Sequence, residues 1–322
     1  MSAPSPAHVF FEVPMLRKPL LLAARSATCR KIVERTPMTR AMVTRFVAGA
    51  TQEEALPAVR RLAEDRHVTL DFLGEDTTDL SQATATVTAY QDLLAALGEA
   101  GLGERAEVSV KLSAVGRCLD QDGEKIALDN ARRIAEAAKA IGTTVTLDME
   151  DHTTVDSTLG ILRELREDFP FVGAVLQAYL RRTEADCRDL NGVGSRVRLC
   201  KGAYDEPESV AFRDEHEVDK AYVRALRVLM EGEGYPMVAS HDPRMIAIAG
   251  EMAAANGRGA DDYEYQMLYG IRDGEQVRLA AEGKRMRVYV PYGDQWYGYY
   301  MRRLAERPAN VLFLARSLIT RN

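Results

Sequence analysis

Cysteine is scarce in this chain: four in 322 residues, at Cys29, Cys118, Cys187 and Cys200, with no C-x-x-C pair. That scatter excludes a disulfide scaffold and a clustered zinc site, and fits reduced thiols. No apolar run approaches the roughly 18 residues that a membrane-spanning helix needs. The opening MSAPSPAHVFFEVPMLRKPLLLAARS holds a five-residue apolar run at most, too short for a secretory core. Excess positive charge is lacking too, and a net charge of −6 argues against nucleic acid as the main partner. There is no P-loop. The run Gly101-x-Gly103-x-x-Ala106 precedes an expected strand instead of following one, so it is a loop and not a dinucleotide fingerprint. These absences predict a cytoplasmic chain whose contact with the inner face of the cell membrane is at most peripheral.

What is present is texture. Residues 1–12 form a loose tail with two prolines. From Met15 to Ala63 the apolar spacing is helical, and Pro14, Pro37 and Pro57 mark expected helix starts. Residues 1–63 are therefore an N-terminal tail and helical arm, and residues 64–322 a second domain. From His67 onward, β-rich runs alternate with amphipathic helical stretches. The runs are 68–74, 107–113, 144–150, 172–179, 196–202, 237–242, 263–270 and 287–293, with helices expected over 79–99, 123–141, 153–168, 214–232 and 242–256. Such alternation predicts a parallel sheet with helical crossovers. Eight units over this length match a (βα)8 barrel, with an open doubly wound sheet as the alternative. The final ANVLFLARSLITRN reads as a short helix packed on the barrel, with a peripheral membrane or partner contact as the alternative.

Polar residues recur where each strand run ends: Asp71 and Glu75, Lys111, Asp148 and Glu150, Gln177, Arg198 and Lys201, His241, Glu264 and Gln266, Tyr289. A barrel places its chemistry at that end. The stretch 285–308 then pairs a strand with a helix on which Tyr299 lies above Arg302 and Arg303. Two adjacent guanidiniums beside tyrosines make a receptor for a small carboxylate. The same pair also fits a solvated helix face. From the residues alone, the chain is a barrel enzyme acting on a small carboxylate.

The motifs LDFLGE (70–75), VSVKLSA (108–114), LDMEDH (147–152), LQAY (176–179), VRLCKGAY (197–204), ASHD (239–242), EYQMLYG (264–270) and YVPYG followed by YYMRRLAERPAN (299–310) together resemble the proline dehydrogenase family, in its short monofunctional bacterial form. The resemblance implies a flavoprotein oxidoreductase of proline catabolism: FAD on a distorted (βα)8 barrel whose last helix lies across the barrel mouth. L-proline is oxidised to 1-pyrroline-5-carboxylate and electrons pass to a membrane quinone, with 1-pyrroline-5-carboxylate dehydrogenase as a candidate partner. By the same resemblance Lys111, Arg302 and Arg303 hold the substrate carboxylate. Tyr204, Leu268, Tyr289 and Tyr299 wall the ring, with Ala203 beneath it. Asp148 orients this cluster and Glu75 pairs with the first arginine as a gate. Gln177, Arg198, Lys201, Gly202, Ala203, Ser240, His241, Gln266 and Glu306 match cofactor contacts.

Two positions depart from the family pattern. Cys200 replaces a common valine, a small apolar exchange. Glu215 stands where many members carry lysine on the cofactor's phosphate side, which implies weaker FAD retention or a substitute cation such as Arg213. Two other functions are compatible with the strand-end residues. One is a Schiff-base lyase using Lys111 or Lys201; the other is a non-catalytic protein that binds a small carboxylate.

Overall fold

Charged side chains fill the centre of this fold, and aliphatic ones surround them. The computed structural model describes residues 43–74 and 76–306, and of residues 302–306 the backbone alone. Glu75, the side chains of Arg302, Arg303 and Glu306, the arm before residue 43 and the helix expected after residue 308 lie outside the described residues.

Strands β1 (His67–Phe72), β2 (Ala106–Val110), β3 (Val145–Leu147), β4 (Gly173–Gln177), β5 (Arg196–Cys200), β6 (Tyr235–Ala239), β7 (Glu264–Leu268) and β8 (Met286–Tyr292) pair in sequence order. They are parallel, and β8 closes on β1. This is a (βα)8 barrel, as the alternation of runs predicts, and the open sheet is excluded.

The helices start where capping chemistry places them. In α1 (Gln52–Ala63), Thr51 caps the start, Glu53 and Glu54 sit in the first turn and Arg60 and Arg61 in the last. Pro57 lies inside that helix and not at its start. In α2 (Leu80–Glu99) the Asp79 carboxylate accepts from the Ser81 and Gln82 amides at 2.7 and 3.2 Å. Then come α3 (Gly123–Ala140), α4 (Val155–Asp168), α5 (Thr183–Asp189), α6 (Glu215–Glu231), α7 (Pro243–Ala255) and α8 (Asp273–Ala281). Asp242 caps α7 ahead of Pro243 at the first position. The unit Ala48–Asp294 holds all of these elements. Helix α9 (Trp296–Glu306) belongs to a second unit that also contains Phe46, whose ring is 6.5 Å from that of Tyr300.

Strand residues alternate between two environments, with Val175 and Met237 as apolar exceptions on the inner face. Val68, Leu70, Val108, Val110, Leu147, Leu176, Leu199, Val288 and Val290 are buried in the apolar core. The intervening residues are polar yet equally buried, among them Thr69, Asp71, Glu107, Ser109, Arg198, Glu264, Gln266 and Arg287. The ion pairs of Glu107 join strands that are not neighbours, so they cross the lumen. Glu107 on β2 meets Arg196 on β5 at 3.0 Å, Arg198 at 3.6 Å and Arg287 on β8 at 3.8 Å. Glu264 binds Arg287 through both carboxylate oxygens, at 2.7 and 3.1 Å. Glu264 thus belongs to the start of β7 and to this ion network, not to the strand-end set where sequence spacing puts it.

Burial alone would raise the Glu107 carboxyl. The guanidiniums of Arg287, Arg196 and Arg198 outweigh it and hold the group below the usual carboxylate range. Glu264 is lowered in the same way, chiefly by Arg287 against its burial. Removing one member of such a network leaves buried charge without a partner, at a cost of about 3–5 kcal/mol. Glu107→Gln is expected to lose stability of that size in urea denaturation at neutral pH. Because the folded-state pKa is depressed, the contribution is complete above about pH 4.5 and declines as pH falls below it. A wild-type urea midpoint in the variant would contradict the assignment.

Candidate active site

At the C-terminal mouth the lumen network becomes a site. Asp148, just past β3, is its hub. Its Oδ1 accepts from Arg198 Nη1 and from the Ser109 hydroxyl, each at 2.7 Å. Its Oδ2 accepts from the Tyr289 hydroxyl at 2.7 Å and faces Lys111 Nζ at 4.0 Å. Arg198 also donates to Ser109 at 3.0 Å, and its guanidinium lies 5.2 Å from the centre of the Tyr289 ring. Lys111 Nζ bonds Asp71 Oδ2 at 2.7 Å. Burial raises the Asp71 carboxyl, with Lys111 opposing and the Asp148 charge reinforcing the rise. Burial and then Asp148 push the Tyr289 phenol well above its ordinary value, so it stays a neutral donor.

Five residues singled out from sequence therefore converge here: Asp71, Lys111, Asp148, Arg198 and Tyr289. Ser109 completes the cluster. It was not singled out from sequence, and it was legible in principle, since it lies two residues along from inward-facing Glu107 on its strand.

Four buried polar atoms near this mouth have no hydrogen-bond partner among the described residues: Asp71 Oδ1, Arg198 Nε, Arg198 Nη2 and Gln177 Oε1. Arg198 Nη2 keeps only its 3.6 Å ion pair with Glu107. The Arg198 N–H groups can donate to a ligand's polar edge, and the Gln177 oxygen can accept from it, without first breaking another bond.

Other strand-end residues are engaged separately. Lys201 Nζ sits between Asp219 at 2.5 Å and Asp242 at 3.1 Å, and Arg244 bonds both carboxylates at 2.7 and 2.6 Å. Thus the residue capping α7 also anchors Lys201. His241 Nε2 accepts the Leu268 amide at 2.9 Å, fixing the end of β7. The Ser240 hydroxyl accepts the Asp242 amide at 3.1 Å, and Gln266 donates to Glu264 at 2.5 Å. Burial pushes the Cys200 thiol up to about 11. Glu215 opens α6 at the surface, and Arg213 is paired with exposed Asp205 at 2.8 Å.

The loop after β5, which carries Ala203 and Tyr204, is folded against Tyr179. Gly202 has φ +106°, and a Cβ there would lie 2.3 Å from Tyr179 Cδ1. Only glycine meets both conditions. Two residues past Tyr204, buried Glu206 accepts from the His152 amide at 3.0 Å and the Tyr179 hydroxyl at 3.4 Å, and bonds the His152 imidazole. Sequence reasoning missed this clasp because its partners are far apart along the chain.

A proline dehydrogenase family model matches residues 55–316. The chain belongs to the proline dehydrogenase family. Proline dehydrogenase of Deinococcus radiodurans is 43% identical over 281 residues, covering 86% of this chain and 90% of that protein. Proline dehydrogenase 1 of Bacillus subtilis strain 168 is 38% identical over 306 residues, 95% of this chain and 99% of its own length. Among solved structures, proline utilization A from Bdellovibrio bacteriovorus, inactivated by N-propargylglycine, superposes with a TM-score of 0.78 at 25% identity. It covers 90% of this chain, which spans only 36% of that longer protein.

Gly202→Ala is expected to destabilise by about 2 kcal/mol or more, through a strained φ and a displaced Tyr179 ring. Urea denaturation measures this, and an unchanged midpoint would contradict the geometry at this loop.

Proposed function

We propose that this chain oxidises L-proline to 1-pyrroline-5-carboxylate with FAD as the resident cofactor and a membrane quinone as the final acceptor. The observation that carries it is the convergence of Lys111, Arg198 and Tyr289 on Asp148 at the mouth of a barrel of this family. The unpartnered Arg198 and Gln177 atoms, and the close approach that Gly202 allows, fit the polar edge and flat body of a flavin. On this reading Gln177, Arg198, Lys201, Gly202, Ala203, Ser240, His241, Gln266 and Glu306 hold the cofactor. FAD supplies the acceptor for the hydride that leaves the ring carbon beside the proline nitrogen.

The chain's own residues supply position and electrostatics. Lys111, with Arg302 and Arg303 by family resemblance, binds the carboxylate and so sets the orientation of the ring. Those cations disfavour a second positive charge nearby, which keeps the substrate amine neutral. Loss of its remaining proton and of the hydride together form the C=N bond. Asp148 holds Arg198 and Tyr289 in fixed positions, so little reorganisation accompanies reaction. By the same family resemblance, Tyr204, Leu268, Tyr289 and Tyr299 are assigned to the ring's methylenes and Glu75 to the first arginine. The product is suited to a 1-pyrroline-5-carboxylate dehydrogenase. No helix among the described residues is long and apolar enough to cross a membrane. Glu215 either weakens FAD retention or leaves the phosphate side to another cation such as Arg213, so FAD is added in the test. Both lysines suited to a lyase are ion-paired, which favours the oxidase chemistry over that alternative.

With FAD added, the purified protein is expected to reduce a soluble quinone when given L-proline, and to release a 1-pyrroline. Absence of both products would overturn the proposal. Tyr289→Ser opens space beside the ring and is expected to lower the kcat/KM ratio of proline to 4-hydroxyproline at least tenfold, about 1.4 kcal/mol. An unchanged ratio would remove Tyr289 as the selectivity residue.

A further inference from the structure

The opposite end of the barrel has a cavity that the proposed chemistry does not use. It encloses about 650 Å³ among the residues that precede or begin the strands. Ligand cavities typically span about 300–1,000 Å³. Arg196, Arg287 and His67 form its inner surface, with Arg105, Lys284 and Arg285 toward solvent.

The wall is built and not a chance cluster. The Arg196 guanidinium lies 4.8 Å from the centre of the Tyr235 ring. The Tyr235 hydroxyl accepts from Arg285 at 3.3 Å and donates to Glu264 at 3.2 Å. Arg196 Nε is buried and has no hydrogen-bond partner among the described residues.

Acidic groups also line the cavity, and most are already engaged. Asp65 pairs with Arg66 at 2.9 Å, and Asp261 with Arg285 at 2.6 Å. Glu107 and Glu264 pair with Arg196 and Arg287 in the lumen network. Arg105 and Lys284 make no ion pair among the described residues, against the single carboxylate of Glu104. The local field is accordingly positive. His67 registers it: burial first, then Arg287, lowers the imidazole to about 4, with Arg285 and Arg105 adding and Glu264 opposing.

We propose that this N-terminal cavity binds a small multivalent oxyanion, held by Arg105, Lys284 and Arg285. A bound polyanion would balance the cations around the strand starts. This site is independent of the oxidation proposed above.

His67 provides the test, since the chain has five histidines and His67→Asn assigns its signal. The imidazole resonance is followed in the full-length protein while inorganic pyrophosphate is added, with ionic strength held constant by potassium chloride. A saturable shift is expected, with the His67 pKa rising by about one unit or more, because a nearby anion favours the imidazolium. In Arg105→Gln/Lys284→Gln, which alters two exposed side chains, the pyrophosphate Kd is expected to weaken at least tenfold. Equal binding of citrate supports a general oxyanion site, and a preference for pyrophosphate supports a phosphate-bearing ligand. A shift that does not saturate in the wild type, or an unchanged Kd in the double variant, overturns the proposal.

Discussion

A guanidinium taken out of water needs a carboxylate, and inside this closed barrel it comes from the adjacent strand, as Glu264 does for Arg287, or from across the lumen. Glu107 meets Arg196, Arg198 and Arg287 from strands that are not its neighbours. Barrel interiors are usually filled by branched aliphatic side chains. Here the aliphatic residues face the helices, and the interior is a ladder of ion pairs and hydroxyls. Such a ladder contributes little net stability over an apolar filling, but it penalises any rearrangement that separates a pair. It therefore fixes which strand faces which, and at what height.

The mouth is the top rung of that ladder. Arg198 touches Glu107 below and Asp148 above, so the position of the site hub depends on the network beneath it. Ser109 ties the same two residues together from β2. Around this fixed centre the loops are clasped one by one. Glu206 holds His152 and Tyr179, His241 holds the Leu268 amide, and Asp242 caps α7 while binding Lys201. A site that orients a small rigid ring needs this kind of support, because orientation contributes to rate only while the groups stay in place.

Much of the fold was legible in the sequence because local rules decide it. The helix expected over 79–99 runs from Leu80 to Glu99, since Asp79 is a strong cap. The eight strand runs were found from β-formers between turn residues. The run 144–150 was expected as strand throughout, yet only Val145–Leu147 pairs, because Asp148 and Glu150 turn into separate polar networks. Pro57 misled as a start signal, being tolerated inside α1. Short α8 has only Gln276 and Leu279 buried, too few apolar positions to announce a helix. Period-two alternation told which face Glu264 occupies but not which end of the strand, so it was assigned to the wrong mouth. The lumen pairs and the Glu206 clasp depend on residues far apart in the chain, and no local pattern encodes them.

The central claim is that this mouth holds a flavin and presents a proline ring to it. The most direct measurement is the visible spectrum of the FAD-loaded protein without oxygen, before and after adding L-proline. The account predicts that the flavin band near about 450 nm bleaches with proline, and far less with 4-hydroxyproline. A protein that retains FAD and whose band is unchanged by proline would contradict it.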